Sequence, residues 1–302
     1  NVFENIADAE DYLVQVDATC RVRRYNEASI IWADTLKEQK EYCILYLHGF
    51  GASHWDANPL HKIVASHYGA NLYLTRMMGH GLVPPECMIG FTAENTWNKV
   101  LQDFSIAKKL GKKVIIMSTS TGGTLALKLA AEFPEDVFAL INISPNIRDE
   151  QIGSGLLNSP WGSELTRLIF MGETKKIKHE KDSASMFWDT IIPTVSLIQL
   201  EQLVETTMFE ETYKKIYCPV LTLYYYQDFI KKDWRVDIDE YPKVYKNLST
   251  PDSLKVLIEM KTPGTHFIGS SIKSKDYQRA VHEILKFCDQ KLKMNKKNTE
   301  ST

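Results

Sequence analysis

The stretch Val114-Ile115-Ile116-Met117-Ser118-Thr119-Ser120-Thr121-Gly122-Gly123-Thr124-Leu125-Ala126 passes from a β-branched apolar run, through a Ser/Thr/Gly cluster, into a segment of helical spacing. Strand, tight turn and helix follow one another with no room for a longer loop. A serine on such a turn takes a strained backbone that lifts its hydroxyl above the sheet. The residues two before and two after it must be small, so that strand and helix can approach. Centred on Ser120, those positions hold Ser118 and Gly122, with Gly123 behind them. Centred on Ser118, they would hold the bulky Ile116 and Ser120. Ser120 is therefore the candidate nucleophile. Taken alone, the stretch reads equally well as a Ser/Thr-rich helix start with a capping hydroxyl and no chemistry, so the rest of the chain has to decide.

Outward from this turn, short apolar runs recur at Tyr42 to Leu47, Asn71 to Thr75, Lys113 to Met117, Val137 to Ser144, Pro219 to Tyr225 and Leu254 to Met260. Helical stretches fall between them at Pro59 to His67, Ala93 to Leu110, Thr121 to Phe133 and Asp276 to Lys291. Strand alternating with helix predicts an α/β fold, a mostly parallel central sheet with helices on both faces. Polar and apolar residues alternate around Tyr12-Leu13-Val14-Gln15-Val16 and Cys20-Arg21-Val22-Arg23-Arg24-Tyr25, predicting two antiparallel edge strands joined at Asp17-Ala18-Thr19. The interval from Pro145 to Tyr217 is far longer than a crossover needs. It predicts an inserted cap over residues 145–217, dividing the core into 1–144 and 218–292. Its apolar run from Ile191 to Val204 would roof a pocket at the strand ends. The lysine-rich tail, 293–302, is expected to fray into solvent.

Ligands of open α/β sheets bind beyond the carboxyl ends of the strands, and three further groups fall there. The run Tyr42 to Leu47 ends in His48-Gly49-Phe50-Gly51. Acyl transfer needs two N–H donors aimed at the developing oxyanion, one from this loop and one from the residue after the nucleophile. Those are the backbone N–H groups of Phe50 and Thr121. A serine also needs a base oriented by an acid. Asp228 follows the strand ending at Tyr224, and His266 follows the strand ending at Met260. The order Ser120, Asp228, His266 is a hydrolase order. Asp233 and Asp237 on the same loop are fallbacks for the acid. His80 reads as structural, His179 and His282 as packing or solvated residues.

The small-x-Ser-x-Gly-Gly turn, His48-Gly49-Phe50-Gly51, Arg76-Met77-Met78-Gly79-His80-Gly81, and the later Asp228 and His266 together resemble the α/β-hydrolase superfamily. Within it, the glycine turns and inserted cap are similar to those of carboxylesterases and monoacylglycerol-type lipases. The resemblance implies a serine hydrolase that cleaves a carboxylic ester through an acyl-enzyme, acting on a small-molecule ester with an apolar acyl group. The same triad serves acyltransferases, thioesterases and C–C hydrolases, and the same scaffold can bind a small ligand without catalysis. Ser118 departs from the pattern where a glycine is usual, and Tyr225 departs where a glycine often precedes the acid by three.

With 36 Lys and Arg against 38 Asp and Glu, the chain lacks the basic excess of a nucleic-acid binder. Cys20, Cys43, Cys87, Cys218 and Cys288 form no CxxC pair, which favours a reducing compartment. Asn1 in place of Met points to removal of an upstream segment, so export remains an alternative. His48, His54, His61 and His67 have no ligand-like spacing, and neither metal nor cofactor is expected. No apolar run is long enough to span a membrane.

Overall fold

The computed structural model describes residues 5–148, 173–179 and 182–297. The strands are β1 (Ser29–Ile31), β2 (Lys40–Leu47), β3 (Asn71–Leu74), β4 (Gly111–Thr119), β5 (Val137–Ile143), β6 (Thr174–Lys176), β7 (Ile191–Pro193), β8 (Val220–Tyr225) and β9 (Lys255–Met260). The helices are α1 (Ala9–Asp17), α2 (Leu60–Tyr68), α3 (Ala93–Leu110), α4 (Thr121–Glu132), α5 (Thr194–Glu205), α6 (Glu210–Tyr213), α7 (Tyr241–Asn247) and α8 (Tyr277–Phe287). A seven-stranded sheet takes the order β1-β3-β2-β4-β5-β8-β9. Only β1, on β3, runs antiparallel.

Alternation along each strand divides the core into two layers. Cys43, Leu45, Leu47, Val114 and Ile116 face α3 and α4, joined by residues of α1, α6 and α7. Tyr42, Ile44, Tyr46, Ile115 and Met117 face α2 and α8. Because both faces are covered, the strands read as continuous apolar runs. From β2 the chain crosses to β3 on one side and returns to β4 on the other, so the topological switch point lies between the carboxyl ends of β2 and β4.

The start of the chain departs from the expected edge strands. Residues 9–17 form α1, and residues 20–25 contribute only the isolated bridge of Val22 with Leu82. The deciding period is four: Ala9, Leu13 and Asp17 are buried on one helix face, while Val14 is 68% exposed. Asp17, expected in a turn, takes Arg76 Nε at 2.8 Å and the Ala28 N–H at 2.9 Å.

Of the interval 145–217, residues 149–172 and 180–181 lie outside the described residues, as do 298–302 of the tail. The described remainder forms the β6–β7 hairpin, α5 and α6. Phe187 stacks on Trp55 with ring centroids 4.1 Å apart, and Trp188 meets Phe267 edge-on at 5.3 Å. The Asp189 N–H donates to Gly51 O at 2.8 Å, and Arg23 holds the Asp189 carboxylate at 2.6 Å. Residues 184–192 therefore lie over the loop after β2 and over the loop bearing His266. Among the described residues no helix is long and apolar enough to cross a membrane.

Candidate active site

Ser120 stands between β4 and α4 with φ 54° and ψ −119°, in the left-handed half of backbone space that non-glycine residues avoid. Bonds on both sides hold it there: its N–H donates to Ile143 O at 3.0 Å, and its carbonyl accepts from the Gly123 and Asn146 N–H groups at 2.7 and 2.8 Å. The closeness of strand and helix explains the glycines. A Cβ on Gly122 would lie 2.0 Å from Leu47 O, and one on Gly123 would lie 2.4 Å from Pro145 Cβ. Ser118 fits because its hydroxyl turns sideways to Asn142 Oδ1 on β5, at 2.8 Å. Thr121 opens α4, so its N–H is among the initial donors that no intrahelical carbonyl can accept.

The parallel register sets Leu47 beside Ser118, which carries Gly49 to the level of Ser120. A Cβ on Gly49 would lie 3.0 Å from Ser120 Cβ and 3.2 Å from Asp56 Oδ2, so a side chain there would press on both. His48 is buried, and burial lowers its pKa to about 4, leaving a neutral ring. Its Nε2 accepts the Met77 N–H at 3.1 Å, so the proton is on Nδ1, which donates to Gly49 O at 2.9 Å. The Gly49–Phe50 peptide is planar and trans, so a carbonyl turned to His48 sends the Phe50 N–H the opposite way. His48 was not singled out from sequence beyond its place in the glycine turn. Its signal was there: a histidine between a buried strand and glycine can reach its own loop's carbonyl.

The carboxylate that meets His266 is not the expected one. His266 Nδ1 lies 2.6 Å from Asp233 Oδ2, with both side chains buried, rather than against Asp228. Asp228 is spent on its own turn, accepting the Ile230 and Lys231 N–H groups at 3.0 and 2.7 Å. Asp237 caps the short helix that follows it, accepting from Asp239 N at 3.0 Å. Phe229 and Ile230, just after Asp228, are 75% and 64% exposed, so the chain does not turn inward there. The chain turns inward later, at Asp233, Val236 and Ile238. Asp233 Oδ1 also accepts the Arg235 N–H at 3.0 Å. Burial opposes its charge, yet the His266 imidazole, these hydrogen bonds and the Arg235 guanidinium hold its carboxyl below the ordinary range. With the carboxylate as acceptor, the His266 proton sits on Nδ1 and Nε2 keeps its lone pair. His80 is buried, bonded through Nδ1 to Met78 O at 2.9 Å and packed edge-on against His48 and Phe50.

An apolar cluster lies beside the loop after β2: Cys87, Met88 and Phe91 meet Leu200 and Val204 of α5, with Phe50 packed against them. Phe50 and Phe91 meet edge-on at 5.1 Å. The site edge is therefore polar at Ser120 and His266, and greasy under α5.

Residues 44–269 match the sequence model of the alpha/beta hydrolase family. No curated protein matches the chain in sequence. Among solved structures, a metagenome-derived lipolytic enzyme of the LipS and LipT pair is similar at TM-score 0.71 and 17% identity, over 88% of this chain and 98% of that one. The monoacylglycerol lipase of Paleococcus ferrophilus follows at TM-score 0.63 and 15% identity, over 86% and 96%. A soluble variant of the Saccharomyces cerevisiae monoglyceride lipase is similar at TM-score 0.65 and 14% identity, over 87% and 91%. At such identities the likeness is one of fold. With its sequence match spanning most of the strands and both glycine loops, the chain belongs to the alpha/beta hydrolase family.

Proposed function

We propose that the protein is a serine hydrolase that cleaves a carboxylic ester through an acyl-enzyme. Ser120 Oγ attacks the carbonyl carbon while His266 Nε2 takes its proton. The N–H groups of Phe50 and Thr121 receive the oxyanion, and Asp233 fixes the imidazole tautomer and supports its charge. Collapse of the tetrahedral adduct expels the alcohol, protonated by His266, and water then releases the acid by the same steps in reverse order. The observation that carries the reading is the left-handed backbone of Ser120 at the switch point. An ordinary helix cap sits in extended backbone and has no use for such strain. The buried His266–Asp233 pair supports it and argues against a scaffold that merely binds, since burying two ionisable groups costs several kcal/mol. The Phe50, Phe91 and Leu200 cluster supports an apolar acyl group, and we take residues 145–217 as the cap that closes over it.

Replacing Ser120 tests this directly. Ser120→Ala should cut turnover of p-nitrophenyl butyrate on the order of 10⁶-fold, with the urea midpoint unchanged, and a fluorophosphonate should label wild type at Ser120 only. Retained turnover in the variant would sink the reading.

A further inference from the structure

Asp56 is a buried carboxyl at the switch point that the acyl-transfer steps do not use. It lies on the 3₁₀ turn His54–Ala57 with its side chain fully buried. Oδ2 accepts the Gly49 N–H at 2.7 Å, and Oδ1 accepts the Tyr46 hydroxyl. The same phenol meets Thr119 Oγ1 at 2.8 Å. Gly49 precedes Phe50, and Thr119 precedes Ser120. One carboxyl thus holds the residue before the β2-loop donor and, through one tyrosine, the residue before the nucleophile.

We infer that Asp56 is a positioning residue that sets the separation between the Phe50 N–H and Ser120 Oγ by tying the loop after β2 to the end of β4. The inference rests on the acyl-transfer reading above. His48 fixes how the Gly49–Phe50 peptide is rotated, and Asp56 fixes how far it stands from the elbow, with Gly49 wedged between Asp56 Oδ2 and Ser120 Cβ. Burial pushes the Asp56 carboxyl up to about 7 against the pull of the Tyr46 and Gly49 bonds. A group so costly to desolvate is accounted for by what it holds.

The test separates oxyanion placement from general support. A trifluoromethyl ketone is attacked by Ser120 Oγ, passes the serine proton to His266, and leaves its carbonyl electron pair as an alkoxide that needs the donors. The matching methyl ketone binds without adding. Asp56→Ala should lower kcat for p-nitrophenyl butyrate and weaken the trifluoromethyl ketone by a common factor of about 10 to 100, below the loss of a whole donor. KM and methyl ketone affinity should stay within about twofold, as expected when only transition-state binding is lost. Asp56→Asn should rescue to within about threefold, because its amide oxygen takes the Gly49 N–H and its NH₂ donates to the Tyr46 oxygen. Tyr46→Phe, which cuts only the arm to Thr119, should show the same pattern at about 3- to 10-fold and decides the matter if Asp56→Ala does not fold. Unchanged kcat, or equal loss of both ketones with a raised KM, would overturn the inference while Ser120 labelling still stood. Turnover surviving Ser120→Ala would instead remove the reading beneath it.

Discussion

The loop after β2 and the loop after β8 serve the same edge of the sheet but are held in opposite ways. The first is packed among buried groups, neutral His48 and His61 rings and the Asp56 carboxyl: His48 on Gly49 O, Asp56 on Gly49 N, and His61 Nε2 on His54 O at 2.8 Å. The second is an exposed hairpin, with Phe229, Ile230 and Trp234 in solvent, that returns to the core at Asp233, where it meets His266 of the loop after β9. A loop pressed between backbones accepts few side chains, and glycine announces it. A loop pinned by one hydrogen-bonded pair accepts many sequences, because its geometry is decided by a partner far along the chain.

The sharpest way to break that contrast is to exchange the carboxyls of the β8 loop. Asp233→Asn should lower kcat about 10⁴-fold with little change in KM, because the amide NH₂ opposes Nδ1–H and favours the wrong tautomer. Asp228→Asn should stay within about twofold, since its turn needs only an acceptor oxygen, which the amide supplies. Steady-state kinetics on p-nitrophenyl butyrate read both. A large loss at Asp228 with little at Asp233 would return the acid to the position expected from spacing.

Acid separates the loops by stability rather than rate. Burial lowers the pKa of His48 to about 4 and of His61 to about 3, and holds those of His54 and His80 well below 6.5. Between pH 6.5 and 4 the unfolded chain takes protons that these folded histidines refuse, so stability present above pH 6.5 is lost as pH falls. Each histidine contributes a slope of about 1.4 kcal/mol per pH unit while it is neutral folded and charged unfolded. Asp56 acts the other way: its folded value of about 7 stands above 3.8, so it costs stability as pH rises from about 4 to 7. Asp189, raised by burial to about 6, acts like Asp56, and His179 is lowered like the other histidines, so two carboxyls against five histidines still leave a net loss in acid. Asp233 stays charged throughout this window, because its folded pKa lies below the ordinary value and its contribution is lost only beneath that. The urea midpoint should therefore fall steeply from pH 6.5 to 4.5, and His61→Gln should flatten the slope by about one histidine's share. A level midpoint would mean that the β2 loop is not held by neutral rings.

This contrast also explains what was legible beforehand. The helix Ala93–Leu110 carries its expected bounds, and β2, β4, β5, β8 and β9 lie within two residues of their apolar runs, because covering both faces keeps the middle of each strand mostly apolar. The turns that carry Ser120 and Phe50 were marked by their glycines, Gly122 where strand and helix approach and Gly49 and Gly51 after β2. The first helix was not, since the short run Tyr12 to Val16 fits either period and only the burial of Ala9 and Asp17 decides. Asp233 stood only as a fallback behind Asp228, because what favours it is its contact with His266, and no spacing within the loop records that. Asp56 escaped for the same reason, its partners Tyr46 and Gly49 being reached through the fold.

Ser118 carries the comparison to the elbow itself, where a glycine is usual and the side chain makes a bond of its own. If Ser118, like Gly122 across the elbow, answers to room alone, its hydroxyl should matter to stability and not to chemistry. Ser118→Ala keeps the small volume and removes the donor to Asn142 Oδ1, leaving a buried amide oxygen without its bond. The expected cost is about 1 to 2 kcal/mol, read from the urea midpoint with unchanged slope. Turnover should stay within about twofold, because the Ser120 backbone is held by Ile143, Gly123 and Asn146 and by no bond from Ser118. A larger fall in kcat at full stability would show that the Ser118 hydroxyl, through β5, helps to fix the nucleophile, and the elbow would then belong with the β8 loop as a site held by a specific bond rather than by space.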